Sequence, residues 1–404
     1  MIAPRYAVST LALSLSLTAA GGFGIVGATS PAHAVSGIQG RVVPVTGAPA
    51  VPDPTGGAQL GAPGVIVNLA AGVPAPPAMP GASFLIADMD TGQILAARAP
   101  HTPRLPASTL KALTALTLIP RLDASATIMV EPQDVRVEGS RIGILAGTAY
   151  SVPTLFRGLL MASGNDAAYT LARANRGAAV TLREMNATAE DLGAFDTVAK
   201  DPSGLDQPGQ TSSAYDLALI GRAAMKLPDF RGYVSTKTAA VPGGRSSDGK
   251  TVPGFKINNH NTLLYNYQGA IGVKNGYTIA AKQTFIAAAT RAGKTYIVTQ
   301  MASPNGSWRP TAALLDWAFA HGTQVTPIGT LVEPGSMTRS GLTSTSGAGS
   351  SDGALRAAPG ADALGRPTLL RLPALQPWIG AAGLLSGMVL VGAFAARSIA
   401  GRRS

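Results

Sequence analysis

Polar and apolar positions change rhythm twice along the middle of this chain, and the changes delimit one folded body. Phe84-Leu85-Ile86-Ala87-Asp88 and Gln93-Ile94-Leu95-Ala96-Ala97-Arg98 are short apolar runs joined across Asp90-Thr91-Gly92, the pattern of a hairpin with a glycine-containing turn. The period then lengthens. Ala112, Leu113, Ala115, Leu116 and Ile119 recur at helical spacing behind Ser108, and Val152 to Met161 and Asp166 to Ala174 continue the helical reading. Thr211-Ser212-Ser213 predicts an N-cap for a helix over Ala214 to Met225, and Pro310 opens a last helix through Ala320. Between these, the strand rhythm returns in Lys274 to Thr278, Thr284 to Thr290 and Thr295 to Gln300, the last two joined across Ala292-Gly293. Strands at both ends of the body with helices between them predict an α+β fold, a five-stranded antiparallel sheet flanked by helices over residues 83–322.

Outside that body the patterning is different. Residues 1–34 have an early Arg5, an apolar run from Ala7 to Ala20 and the A-x-A site Ala32-His33-Ala34, which predicts a cleaved secretory signal. Residues 35–82 are rich in Pro, Gly, Ala and Val and read as a mostly extended leader; residues 323–377 contain the Ser/Gly-rich stretch 340–351 and read as a low-complexity stalk. Trp378 to Ala396 is a run of 19 uncharged residues. As a helix it would reach roughly 29 Å, enough for a bilayer core. Arg397, Arg402 and Arg403 follow, so the positive-inside rule assigns 378–396 to a transmembrane helix and 397–404 to a cytoplasmic tail. The body is then expected on the extracytoplasmic face of a cell membrane, tethered by one pass.

Composition narrows the chemistry. The chain of 404 residues contains no cysteine, which removes disulfides and thiolate metal sites. Its four histidines, His33, His101, His260 and His321, show no metal-ligand spacing, so no metal and no cofactor are expected. A formal charge of +11 without a basic run interleaved with aromatics excludes a nucleic-acid partner and suits a polyanionic envelope surface.

Three short segments carry the candidate chemistry. Ser108-Thr109-Leu110-Lys111 places a hydroxyl and an amine on one helix face, within the reach that a nucleophile and its base require. Lys111 can act as a base only when neutral, and burial beside a second cation lowers an amine toward that state; Lys274 is the candidate cation. Ser163-Gly164-Asn165 interrupts two helical segments, offering a hydroxyl for proton relay and an amide to hold a substrate amide. Lys274-Asn275-Gly276-Tyr277-Thr278 reads as an edge strand, where Lys274 would attract a carboxylate and Gly276 would admit a peptide against the backbone.

In that order the segments resemble the motifs of the serine D-alanyl-D-alanine carboxypeptidases, the low-molecular-mass penicillin-binding proteins. The resemblance extends through Pro106-Ala107-Ser108, Gly158 to Ala168, Ser203-Gly204-Leu205-Asp206, Asn259 to Leu264 and Leu315-Asp316-Trp317. It implies a β-lactamase/DD-peptidase-like fold and removal of the terminal D-alanine from peptidoglycan stem peptides through an acyl-enzyme, with β-lactams as covalent inhibitors. It further implies Ser108 as nucleophile, Lys111 as base, Ser163 as relay, and Asn165, Lys274, Asn275, Gly276, Tyr277 and Thr278 along the substrate. The backbone N–H groups of Ser108 and Tyr277 would form the oxyanion hole. Asn275 departs from the Thr or Ser usual there, which bears on substrate anchoring. A β-lactamase, a DD-endopeptidase and a catalytically silent wall-binding protein are the alternative readings.

Overall fold

The computed structural model describes residues 53–339 apart from Ser247 and Asn305, and these fall within one compact unit. Its central sheet contains β1 (Val65–Val67), β2 (Ser83–Asp88), β3 (Gln93–Arg98), β4 (Ala270–Thr278), β5 (Lys282–Arg291) and β6 (Lys294–Ser303). Their spatial order is β1-β3-β2-β6-β5-β4, and β7 (Gly329–Thr330) also pairs with β3; all pairings are antiparallel.

Side chains alternate across this sheet as the strand period requires. Leu85, Ala87, Ile286, Ala288 and Ile297 enter one apolar cluster, and Phe84, Ile86, Phe285, Ala287 and Val298 enter another on the opposite face. Both faces are therefore covered, which explains why the strands read as continuous apolar runs and not as strict alternation. The first face carries α1 (Lys111–Leu118), α2 (Val152–Met161), α3 (Asn165–Ala174), α4 (Ala178–Asp191), α5 (Ala214–Ala224) and α6 (Pro228–Ser235). The second carries α7 (Arg309–His321), whose Leu314, Leu315 and Trp317 pack on Phe84, Leu95 and Tyr296 of the sheet. Local signals set the helix starts: Ser213 Oγ accepts from the Asp216 N–H at 3.1 Å at the head of α5, and Ser151 does the same for Thr154 at 3.3 Å.

The five central strands agree with the sequence reading, and the sheet is wider by two short strands. Residues assigned to the leader supply a 3-10 turn (Ala58–Gly61) and β1, with Leu60 and Ile66 buried; residues assigned to the stalk supply β7, with Val325, Ile328 and Leu331 buried. The folded body thus extends past the expected limits of 83 and 322. The reason is edge chemistry. β3 would otherwise present unpaired backbone groups, and a three-residue β-branched run is enough to satisfy them while being too short to stand out of a Pro/Gly-rich context. Among the described residues no helix is long and apolar enough to cross a membrane; the segments 1–34, 378–396 and 397–404 lie outside them.

Candidate active site

Ser108 sits on the 3-10 turn Ala107–Leu110, which runs directly into α1. Lys111, the first residue of α1, folds back over that turn so that its Nζ donates to Ser108 Oγ at 3.0 Å. The same Nζ reaches Asn165 Oδ1 at 2.7 Å and the Ser203 carbonyl at 2.6 Å, and the lysine is 0% exposed. Three acceptors around one buried amine are enough to fix it.

The turn that carries Ser108 is clamped from three sides. Thr284 Oγ1 on β5 and Thr109 Oγ1 both donate to the Pro106 carbonyl, at 2.7 and 2.6 Å. On β4, a Cβ added to Gly276 would stand 2.7 Å from the Ser108 nitrogen and 2.9 Å from that of Thr109. Gly276 is thus glycine because the Ser108 turn itself rests on its backbone, a reason additional to room for a peptide. Gly204, at φ 79°, approaches from the other side, where an added Cβ would meet the Ala107 carbonyl oxygen at 2.1 Å.

Burial, and after it the positive charge of Lys274, hold the Lys111 amine well below the usual lysine range, while Asp201 and Asp166 pull it back up. Lys274 is 1% exposed, donates to the Asn275 carbonyl at 2.7 Å and is lowered by burial to about 7. His260 is lowered too, by burial first and then by Lys274, which places it within the field of the same cation. The site therefore holds two buried amines that disfavour simultaneous charge.

Comparison with known proteins adds one decisive observation: a family model described as D-alanyl-D-alanine carboxypeptidase matches residues 70–305. The chain belongs to the D-alanyl-D-alanine carboxypeptidase family. A D-alanyl-D-alanine carboxypeptidase of Mycobacterium tuberculosis is 41% identical over 261 residues, 63% of this chain and 87% of the relative. One of Bacillus subtilis is 29% identical over 246 residues, and there the match spans 62% of the relative's length. Among solved structures, a D-alanyl-D-alanine carboxypeptidase from Mycobacterium tuberculosis superposes with a TM-score of 0.60 at 39% identity, covering 66% of this chain and 99% of that one. A Streptomyces DD-transpeptidase gives 0.57 at 30% identity, covering 61% and 100%.

Within this carboxypeptidase-family site, Asn165 has a role its sequence did not disclose. Its Oδ1 accepts from Lys111, its Nδ2 donates to the Glu138 carbonyl at 2.6 Å, and its N–H donates to the Ser140 carbonyl at 2.7 Å. Both ends of the amide are engaged within the protein, so the geometry makes Asn165 a holder of Lys111. Asp166 beside it, 1% exposed, takes the N–H groups of Ile142 (3.0 Å) and Ala167 (2.9 Å) on Oδ1 and of Gly143 (2.9 Å) on Oδ2. The first two residues of α3 thus pin the segment 138–143 against the site. Ser163 is buried in a left-handed conformation, φ 60°, on the connector between α2 and α3.

The structure gathers Ser108, Lys111, Asn165, Lys274 and Gly276 around one point, leaves Ser163 on the α2–α3 connector, and leads Asn275, Tyr277 and Thr278 outward along β4. Asn275 pairs in register with Phe285, Tyr277 is 61% exposed, and the Thr278 hydroxyl accepts from the Ala281 N–H at 3.0 Å in the following turn. Thr284, Asp166, Asp201 and the Ser203 carbonyl were not legible as site residues. For Ser203 the one signal was the Ser203-Gly204-Leu205-Asp206 segment, which marks the family but not the atom that matters. A separate cleft of about 660 Å³, lined by Met89, Asp90, Arg222, Arg231, Ile271 and Thr290, shares no residue with this site.

Proposed function

We propose that the chain is a serine-type D-alanyl-D-alanine carboxypeptidase that releases the terminal D-alanine of peptidoglycan stem peptides through an acyl-enzyme on Ser108. The observation that carries this reading is the set of contacts around Lys111 Nζ. As an ammonium the group donates to all three acceptors. As a neutral amine it retains two hydrogens, which Asn165 Oδ1 and the Ser203 carbonyl take, and its lone pair is left facing the Ser108 hydroxyl at 3.0 Å. Loss of one proton therefore turns Lys111 from a donor into a base without moving a heavy atom.

In the reaction, Ser108 Oγ attacks the carbonyl carbon of the scissile D-Ala-D-Ala amide while Lys111 takes the hydroxyl proton. The oxyanion is received by the backbone N–H groups of Ser108 and Tyr277, worth about 3 kcal/mol of barrier per donor. That proton passes by way of Ser163 to the leaving amine, free D-alanine departs, and water then attacks the Ser108 ester with Lys111 again as base. Lys274 attracts the substrate's terminal carboxylate, and the exposed edge of β4 accepts the peptide by strand addition. β-Lactams, which present a strained amide in place of the peptide, form the same Ser108 ester.

Ser108→Ala decides the reading. Expected is complete loss of both labelled-penicillin incorporation and D-alanine release from a pentapeptide, with the fold retained; D-alanine release at an unchanged rate would refute it. The sequence of the two flanks supports a further proposal, that the body works outside the membrane, held by residues 378–396. Cell fractionation should find the full chain in membranes and a chain cut after residue 339 released from them.

A further inference from the structure

The segment that carries the Ser203 carbonyl is held more firmly than a carbonyl acceptor needs. Thr114 on α1 donates to the Pro202 carbonyl at 2.7 Å. Gln210, 1% exposed, accepts from the Asp201 N–H at 3.0 Å and donates to the Leu205 carbonyl at 2.7 Å. At the centre lies Asp201, itself 3% exposed: its Oδ1 accepts from the Ser203 N–H at 2.7 Å and from the Ser203 hydroxyl, and its Oδ2 accepts from the Tyr169 hydroxyl of α3. The chain Tyr169, Asp201, Ser203, Lys111 is continuous, hydrogen bond by hydrogen bond, to the base.

We propose that Asp201 is a positioning residue for the base: it fixes the peptide whose carbonyl holds Lys111 Nζ, and its charge sets the acidity at which Lys111 becomes free to accept the Ser108 proton. This rests on the assignment of Ser108 as nucleophile and Lys111 as base. The geometry alone could be met by an asparagine, whose Oδ1 would keep both Ser203 bonds and whose Nδ2 could donate to Tyr169 Oη. A buried carboxylate is costly to retain unless its charge is used. The charged groups acting on Lys111 are Lys274 on β4, Asp166 on α3 and Asp201, and of the two carboxylates Asp201 acts more strongly. The Tyr169 hydroxyl donates to that carboxylate and tempers its hold on the ammonium; Tyr169 in turn has its own ionisation pushed up, by burial first and then by Asp201.

The sign follows directly. Asp201 favours the charged lysine, so its removal frees Lys111 at lower pH; removing the Tyr169 hydroxyl makes Asp201 a stronger partner and delays the release to higher pH. The test measures the second-order rate of Ser108 acylation by a labelled penicillin against pH in the full chain, with thermal melting of each variant. Asp201→Asn should move the acid-side midpoint down by roughly half a pH unit or more while leaving the plateau within about threefold. Tyr169→Phe should move it up, by less. A folded Asp201→Asn protein with an unmoved midpoint overturns the inference, because a structural bracket would change the plateau and not the midpoint. Should that variant not fold, Tyr169→Phe decides, and an unmoved midpoint there overturns it equally. Absence of label on wild-type Ser108 would overturn the catalytic assignment and this inference with it, whereas normal labelling with unshifted profiles overturns this inference alone.

Discussion

Lys111 and Lys274 are needed in opposite charge states, and the site makes that combination the natural one. Burial depresses both, Lys274 to about 7, and the charge of Lys274 depresses Lys111 further. Acylation rises as pH climbs through the Lys111 transition, because the neutral amine is the base. It falls as pH climbs through the Lys274 transition, because the cation that draws in the carboxylate is lost. A bell is expected in kcat/KM for D-alanine release, with its alkaline limb near pH 7, and an anionic substrate once bound should raise Lys274 and move the limb in kcat to higher pH. Coincident alkaline limbs would count against the role of Lys274. Gly276 gives a steric counterpart: Gly276→Ala would push a methyl against the Ser108 and Thr109 nitrogens, and a displacement on the order of 1 Å should cost about 100-fold in acylation rate. Single-turnover labelling measures it directly.

At the scale of elements, the N-terminus of α3 does two tasks with adjacent residues, Asn165 holding the base and Asp166 holding the wall beside it. Asp166→Ala would leave the buried N–H of Ile142 and the N–H of Gly143 without their acceptor, at a cost of about 1–3 kcal/mol, read as a lower Tm together with slower acylation. Ser213→Ala, which removes the cap of α5, should lower stability by about 1 kcal/mol and leave acylation untouched. The contrast separates a helix start that serves the site from one that serves only the fold. Elements such as α2, α5, β2 and β5 were readable because their apolar positions recur within a few residues of one another. That Ser108, Lys111 and Asn165 meet was readable because particular side chains recur at particular intervals. What escaped is carried by backbone: the Ser203 carbonyl lies 92 positions from Lys111 and the Glu138 carbonyl 27 from Asn165, and a carbonyl leaves no mark in a sequence. Asp166 escaped for a related reason, since a carboxylate that binds N–H groups of a distant loop looks like any helix-end acid until the loop is in place, and Asp201 escaped because it reads as an ordinary loop acid whose Tyr169 partner is 32 positions away.

For the molecule as a whole, the pairing of β3 with both β1 and β7 means that a body trimmed to residues 83–322 would lack part of its own sheet. It would lose the buried side chains of Leu60, Ile66, Ile328 and Leu331 and expose the β3 edge. At roughly 1.5–3 kcal/mol per buried aliphatic side chain, the trimmed protein should melt far below one spanning residues 53–339 and aggregate, which calorimetry on the two proteins would register. The same arrangement brings the two flanks together, since the Thr330 N–H donates to the Gly56 carbonyl at 2.9 Å and that of Thr326 to the Asn68 carbonyl at 3.2 Å. Entry and exit of the body thus meet at β3, with β2, β6 and β5 between that strand and β4, a separation of about 19 Å at the usual strand spacing. A pull on either flank would be taken up at the far margin of the sheet, by peeling β1 or β7 from β3, before any strain reached Gly276 and the turn of Ser108. A pull on either end of the described body would leave the chemistry in register.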